Sequence, residues 1–561
     1  MLKSRFNFVL LLAAGVSVGA INANAQVERF PGLIDKRTPD VEIPRSHSLD
    51  KPKGKPFEET PVLKNVKSAN KVIAKLKSVS FEGNTVIKDN VLQDIVEPYI
   101  GKKLTKGDLA ALKFDVKKAF YDKGYILVRV VTKPQKFSSG NLKVNIYEAK
   151  IGEVVIEENK LLNNSLAKRL ASRAESGEIL DEVNLESTIS DLNDLYGVGA
   201  SVNLRPGKAF STTDLNVSLK AAKEDTNNIT VDNYGSDLTG RIVTSAYLEK
   251  SNFFNIGEKF NLSLQRSEED LWGVAVGAVT PIGIKNIKLE TSYLHSKNEI
   301  SGRLEGLKAS GETDAYNISF SSKLINTRKK QTVFRVGYEE RVHESFLSDV
   351  RDTKDHLRKL YVESSFLYRG DNSVFFTSAK LSKGLDIFEA SEKGDITASR
   401  STGDPQAWIF EPVLLVNSKP FSDEGTVKAL VRGQLASNTL LSSDLMSVGG
   451  YGNIRGFDVA QEAAEAGYSF SLEYNHELPI ASDDYEVKMG PFVDGGALYN
   501  RVQGSLEDNH FYSVGLGLEA RAKIIPTGDT ILRLDWGHPV GNYNSNQVSS
   551  DTFYISLKQE F

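Results

Sequence analysis

Two short stretches of this 561-residue chain carry its most pointed chemistry. Arg455 lies in Ile454-Arg455-Gly456-Phe457, shortly after Gly449-Gly450, and Asp494 lies in Phe492-Val493-Asp494-Gly495-Gly496. A guanidinium presents a rigid fork of donors suited to a carboxylate. Strand alternation would set Phe492 and Asp494 on one face and Val493 on the other. Taken singly, each stretch could be a surface loop or a glycine bulge, and Asp494-Gly495-Gly496 also resembles part of an aspartic-protease site. The rest of the chain supplies no enzyme around them. Its seven histidines form no zinc-protease pattern, no G-x-S-x-G elbow or Walker sequence occurs, and there is no cysteine. His476-Glu477 reads as a solvated strand rim. No catalytic residue, metal or cofactor is expected.

The elements that must position these residues follow from the chain's organisation. Lys3 and Arg5, an apolar run from Phe8 to Ile21 and Ala23-Asn24-Ala25 form a secretory signal peptide over residues 1–25. Beyond it no run is long and apolar enough for a membrane helix, so an exported chain is either soluble or a closed barrel. Net charge is −4 without blocks of one sign, which gives no reason to expect a nucleic-acid partner. Residues 26–74 hold Pro31, Pro39, Pro44, Pro52, Pro56 and Pro61 and read as a linker, preceded by a short helix at Val27 to Lys36. Residues 75–149 then show the order β-α-α-β-β, and residues 150–224 repeat it. In the first unit Pro98 is expected to end the helical run of Val91 to Val96.

In the barrel domain expected over 225–561, helical spacing gives way to alternation from about Ile229 to Phe561. Tyr468, Phe470, Leu472 and Tyr474 interleave with Ser469, Ser471, Glu473 and Asn475, and the chain ends on an alternating strand at Phe561. Period-2 segments between polar turns mark a transmembrane barrel, against the alternative of a soluble sandwich or β-helix. Some 333 residues at about 20 per strand and connection predict about 16 antiparallel strands.

With these elements in place the chain resembles the two-partner secretion transporters, outer-membrane pores that export adhesins, haemolysins and contact-dependent inhibition toxins. The tandem units resemble POTRA domains, on Phe81-Glu82-Gly83-Asn84-Thr85, Lys123-Gly124-Tyr125 and Pro134-Gln135. Asp232-Asn233-Tyr234-Gly235 resembles the family's first-strand motif. Arg455, Gly456 and Phe457 match its [VI]-R-G-[FY] loop, and Phe492, Asp494 and Gly496 its F-x-D-x-G strand. The resemblance implies that Arg455 binds Asp494 inside the lumen, and that the N-terminal helix plugs the pore. It further implies a terminal assembly signal at Phe561, read by the barrel-assembly machinery.

The expected function is ATP-independent secretion of an unfolded exoprotein by a monomer in outer-membrane lipid, with the POTRA units in the periplasm. A barrel-assembly insertase is the alternative, disfavoured by two POTRA units rather than five. A nutrient porin or outer-membrane hydrolase would leave the tandem units unexplained.

Overall fold

The computed structural model describes residues 70–561 except 137–138, 172–175, 223–224, 270, 283–285, 328, 422–423, 481–484, 503–504, 527 and 542–550. The expected signal peptide, plug helix and most of the linker lie outside the described residues. The chain divides into two compact units, one closing at Ala222 and the other running from Lys223 to Phe561.

The first unit contains the repeat. Its first half runs β1 (Val72–Lys75), β2 (Ser78–Glu82), α1 (Asp89–Val96), β3 (Lys103–Thr105), α2 (Lys106–Asp122), β4 (Val128–Val131) and β5 (Asn141–Glu148). Its second half runs β6 (Lys150–Glu158), α3 (Asn164–Ala171), α4 (Glu182–Asn193), β7 (Val198–Pro206) and β8 (Thr212–Ala221). The sheets are ordered β2-β5-β4 and β6-β8-β7, each with one parallel and one antiparallel pairing. Equivalence extends to single hydrogen bonds. Asn84 donates to the Ile87 carbonyl and to Asp89, as Asn159 does to the Leu162 carbonyl and Asn164. Asn145 reaches Glu82 and Asn216 reaches Glu157, both at 2.6 Å.

One detail differs from the sequence expectation. The first half is β-β-α-β-α-β-β, because β1 and β3 pair as a small extra sheet that is too short to show periodicity. The α-helical run ends at Val96, just before Pro98 as expected, and the proline enters a 3-10 turn, Glu97–Tyr99, where a missing N–H at the first positions costs nothing. Helix α2 is better marked. Thr105 and Asp108 cap its start reciprocally, and Leu112, Val116 and Phe120 recur every four residues to bury one face.

The second unit is a closed barrel of 16 strands, as the alternation predicted. The first eight are β9 (Asn228–Asp232), β10 (Val243–Ser251), β11 (Lys259–Ser267), β12 (Leu271–Pro281), β13 (Ile287–Glu299), β14 (Ala309–Asn326), β15 (Lys330–Leu347) and β16 (Val350–Arg369). Then come β17 (Ser373–Gly384), β18 (Trp408–Ser418) and β19 (Gly425–Ala436). A long loop carries the short pair β20 (Met446–Val448) and β21 (Glu462–Ala464). The ring resumes with β22 (Ala466–Glu477), β23 (Tyr485–Val502), β24 (Ser505–Ile525), β25 (Gly528–Pro539) and β26 (Thr552–Glu560), and β26 pairs antiparallel with β9. An even strand number leaves both chain ends at one end of the barrel, here called the near end.

Burial in this ring is inverted relative to a soluble core. Leu264, Val276, Phe320, Leu360, Leu472, Val493, Leu516 and Ile555 are exposed on the outside, while Ser263, Gln265, Asn298, Glu339, Lys380, Asp494 and Asp535 are buried inside. Only a lipid-facing exterior makes that arrangement favourable. Among the described residues no helix is long and apolar enough to cross a membrane.

Candidate functional site

The 437–465 loop joins β19 to β22 at the far end. Strands β20 and β21 pair within it, so its tip hangs from a short antiparallel stem. Gly449 and Gly450 take positive φ of 106° and 89°, and the Gly450 N–H donates to the Phe457 carbonyl, which turns the tip inward. Val448, Ile454, Phe457 and Ala464 then bury against Leu498 of β23 and Phe511 of β24. The Phe457 and Phe511 rings meet edge to face at 5.4 Å.

This apolar seat holds Arg455 among inward-facing acceptors. Its Nε donates to Asp494 Oδ2 at 2.7 Å and its Nη2 to Asp494 Oδ1 at 2.9 Å, a bidentate fork. Nη1 donates to Glu473 at 2.8 Å and to Asp535 at 3.1 Å, and Nη2 also reaches the Ser471 hydroxyl at 3.2 Å. All five guanidinium donors therefore have acceptors. The Arg455 backbone N–H adds a bond to Asp494, and the guanidinium lies 3.3 Å over the Phe492 ring. Arg455 and Asp494 side chains are 6% and 1% exposed, so these bonds form almost without water. Burial alone would push the Arg455 guanidinium down, but Asp494, Glu473 and Asp535 outweigh it and hold it above its usual value.

Sequence reading named two of these charges and missed the others. Arg533 completes the cluster, bonding Glu473 and Asp535 at 2.7 Å each. Their only signal was a charge at an inward position of an alternating strand, as in Leu532-Arg533-Leu534-Asp535-Trp536. Gly537 was missed too. A Cβ there would stand 2.8 Å from the Gly456 nitrogen and 3.1 Å from the Arg455 carbonyl carbon, so its bareness lets the loop backbone lie on the wall.

The remaining marked residues gather nearby. Gly456, at φ 93°, donates its N–H to the Tyr554 hydroxyl at 2.9 Å. Gly496 lies across from Ser469 and beside Ile454. The first-strand motif reaches the same place from the other side of the closing seam. Asp232 ends β9 and accepts from the Tyr234 N–H. The Asn233 amide bonds the Phe553 carbonyl and the Ile555 N–H, carrying the β9–β26 pairing one step further. The Gly235 N–H donates to the Arg241 carbonyl to close the turn. Tyr234 stacks on Tyr451 of the loop at 3.7 Å, with Tyr554 edge-on, and burial pushes the Tyr451 hydroxyl up to about 12. Phe561 sits apart at the near end, its N–H on the Asn227 carbonyl and its ring exposed.

The cluster thus fixes the tip of a long loop against the inner face of a closed ring of strands. The sequence profile described as haemolysin secretion/activation protein ShlB/FhaC/HecB matches residues 211–521, and that of the ShlB-type POTRA domain matches residues 74–149. The chain belongs to the haemolysin secretion/activation family. Similar over nearly its whole length is the heme/hemopexin transporter protein HuxB of Haemophilus influenzae, 22% identical over 98% of this chain and 99% of that one. The outer membrane transporter CdiB of Dickeya dadantii is 24% identical over 76% of this chain and 77% of its own. In fold the chain is similar to CdiB from Escherichia coli, with a TM-score of 0.72 at 18% identity, covering 87% of this chain and 90% of that one. Members of this family are transporters. The chain is thus an outer-membrane pore of the two-partner secretion type, with its POTRA units in the periplasm.

Proposed function

We propose that this pore, acting as a monomer and without catalysis of its own, secretes one large unfolded exoprotein: an adhesin, a haemolysin or a contact-dependent inhibition toxin. Its POTRA units receive the exoprotein's N-terminal region by strand addition at a sheet edge. The loop bearing Arg455 stays latched to Asp494 while the chain threads the lumen. Export draws on the cargo folding outside rather than on ATP. The observation that carries this reading is the buried Arg455–Asp494 fork, because a full set of charge-assisted bonds in a near-dry site gives a long loop one fixed position. Exposed outward residues such as Leu516 and Ile555 support contact with outer-membrane lipid. The Phe561 N–H on Asn227 supports a terminal signal that the assembly machinery reads as the seam closes.

Residues 75–224, as a soluble fragment, should bind the unfolded N-terminal region of the cognate exoprotein. Calorimetry that detects no heat of binding with that partner would remove the receptor role.

A further inference from the structure

The loop that carries Arg455 is tied down a second time, at its base. The turn Ser442–Asp444 lies against β15 and β16, and the 385–407 loop lies with it. Asp444 pairs with Lys359 of β16, and Arg341 of β15 donates to the Ser443 carbonyl at 2.8 Å. Asp355 of β16 accepts the Ser443 hydroxyl at 2.9 Å, and also the N–H and hydroxyl of Ser399 at 2.8 and 2.7 Å. Ser399 in turn accepts the Ser442 N–H at 2.9 Å, and Arg400 donates to the Leu440 carbonyl at 2.8 Å. One carboxylate, Asp355, thus fastens both loops to the wall, and it is 1% exposed.

Resting on the reading of this barrel as an export pore, we propose that Asp355 and the Asp444–Lys359 pair form a second clasp, and that this clasp, not the Arg455 tip, releases when a chain passes. The two attachments differ in balance: the base has an apolar contact too, Leu440 and Leu445 with Ala407, Ile409 and Ala436, but the turn between them is held by polar groups. Undocking the tip exposes the apolar seat of Val448, Ile454 and Phe457 and leaves a buried surplus of carboxylate. Releasing Ser442–Asp444 breaks hydrogen bonds and ion pairs whose groups water, or the backbone of a passing chain, can satisfy in exchange. Buried polar atoms already stand on the inner face of the barrel with no hydrogen-bond partner: Asn298 Nδ2 of β13, a donor, and His343 Nε2 of β15, a donor or an acceptor according to its tautomer. A wall so furnished accepts polar backbone without sequence preference, which suits an unfolded polypeptide. Asp355 and Asp444 are therefore positioning residues for export.

The full-length protein tests this in two ways. In planar bilayers without cargo, Asp355→Ala and the double change Lys359→Met/Asp444→Leu, which leaves no lone charge, should raise the open fraction roughly tenfold. Both should keep heat-modifiable migration on gels. Folded variants with wild-type openings would overturn the clasp. Second, because the chain lacks cysteine, Asp355→Cys/Ser443→Cys adds one pair at the clasp. Oxidation should form the disulfide and stop secretion, and reductant should restore it. Failure of the disulfide to form in the folded barrel, or continued secretion once it has formed, would each refute the proposal. Absence of secretion by the wild type with its partner would count instead against the export reading, while the cargo-free bilayer result still judges the clasp.

Discussion

Arg455→Ala and Asp494→Ala should not be equivalent, although they remove the two ends of one bond. The buried heart of the tip site holds three carboxylates, Asp494, Glu473 and Asp535, against two guanidinia, Arg455 and Arg533, with the more exposed Glu519 at its edge, 3.7 Å from Arg533. Arg455→Ala leaves three negative groups facing one positive group in a site almost closed to water. Breaking a buried charge set this way costs about 3–5 kcal/mol, which lowers the docking constant of the loop by roughly two to three and a half orders of magnitude. Asp494→Ala leaves two charges of each sign and loses mainly the fork, about 1.5–3 kcal/mol for bonds to a charged group. The double substitution leaves Arg533 with Glu473 and Asp535, restoring the original excess of one negative charge. It should therefore secrete better than Arg455→Ala alone. Arg455→Lys should stay impaired, because three ammonium donors cannot serve acceptors that engage five. The assay is exoprotein secreted per heat-modifiable barrel, with protease cleavage in the 437–465 loop reporting undocking. Asp494→Ala more damaging than Arg455→Ala, or a double variant as poor as Arg455→Ala, would show that charge balance does not govern the latch.

Gly537→Ala changes no charge, yet its methyl would occupy the space against Gly456; it should undock the loop and cut secretion while the barrel still inserts, and normal protease resistance of the loop would contradict this. In the first POTRA unit, the Thr105 N–H and hydroxyl hold the Asp108 carboxyl below its ordinary 3.8. A depressed carboxylate stabilises fully above its unfolded pKa and loses that contribution as pH falls through the folded value. The thermal stability of residues 70–222 should thus decrease as the pH is taken below about 4, and Asp108→Asn should show a smaller acid-dependent drop; equal drops would remove the cap from the account. Deleting residues 27–60, which removes the Val27 to Lys36 helix that the family resemblance places in the pore as a plug, should raise single-channel conductance, and an unchanged value would put that helix elsewhere.

What could be read from the sequence, and what could not, divides along a physical line. Alternation reports which residues of a strand share a face, so the strand number and the shared face of Phe492 and Asp494 on β23 were accessible from spacing. The POTRA helices were accessible because α2 carries its own cap and stripe, whereas β1 and β3 have too few residues to show a period. What alternation cannot report is the neighbour across the lumen. Asp535 belongs to the Arg455 site although β24 separates β25 from β23, and that requires β24 to stay out of the way. It does so by sequence: Ser513, Gly515 and Gly517 occupy its inward positions, each paired in register with the walls on either side. The Phe492 ring fills the space over Gly515, and the Arg533 and Asp535 side chains lean across Gly517. A larger residue at either glycine would push the floor of the site into the arginine. The run Ser513-Val514-Gly515-Leu516-Gly517 is thus as much a part of the latch as Asp494, and small residues at alternate inward positions of an otherwise bulky barrel strand are the signal that would have found it.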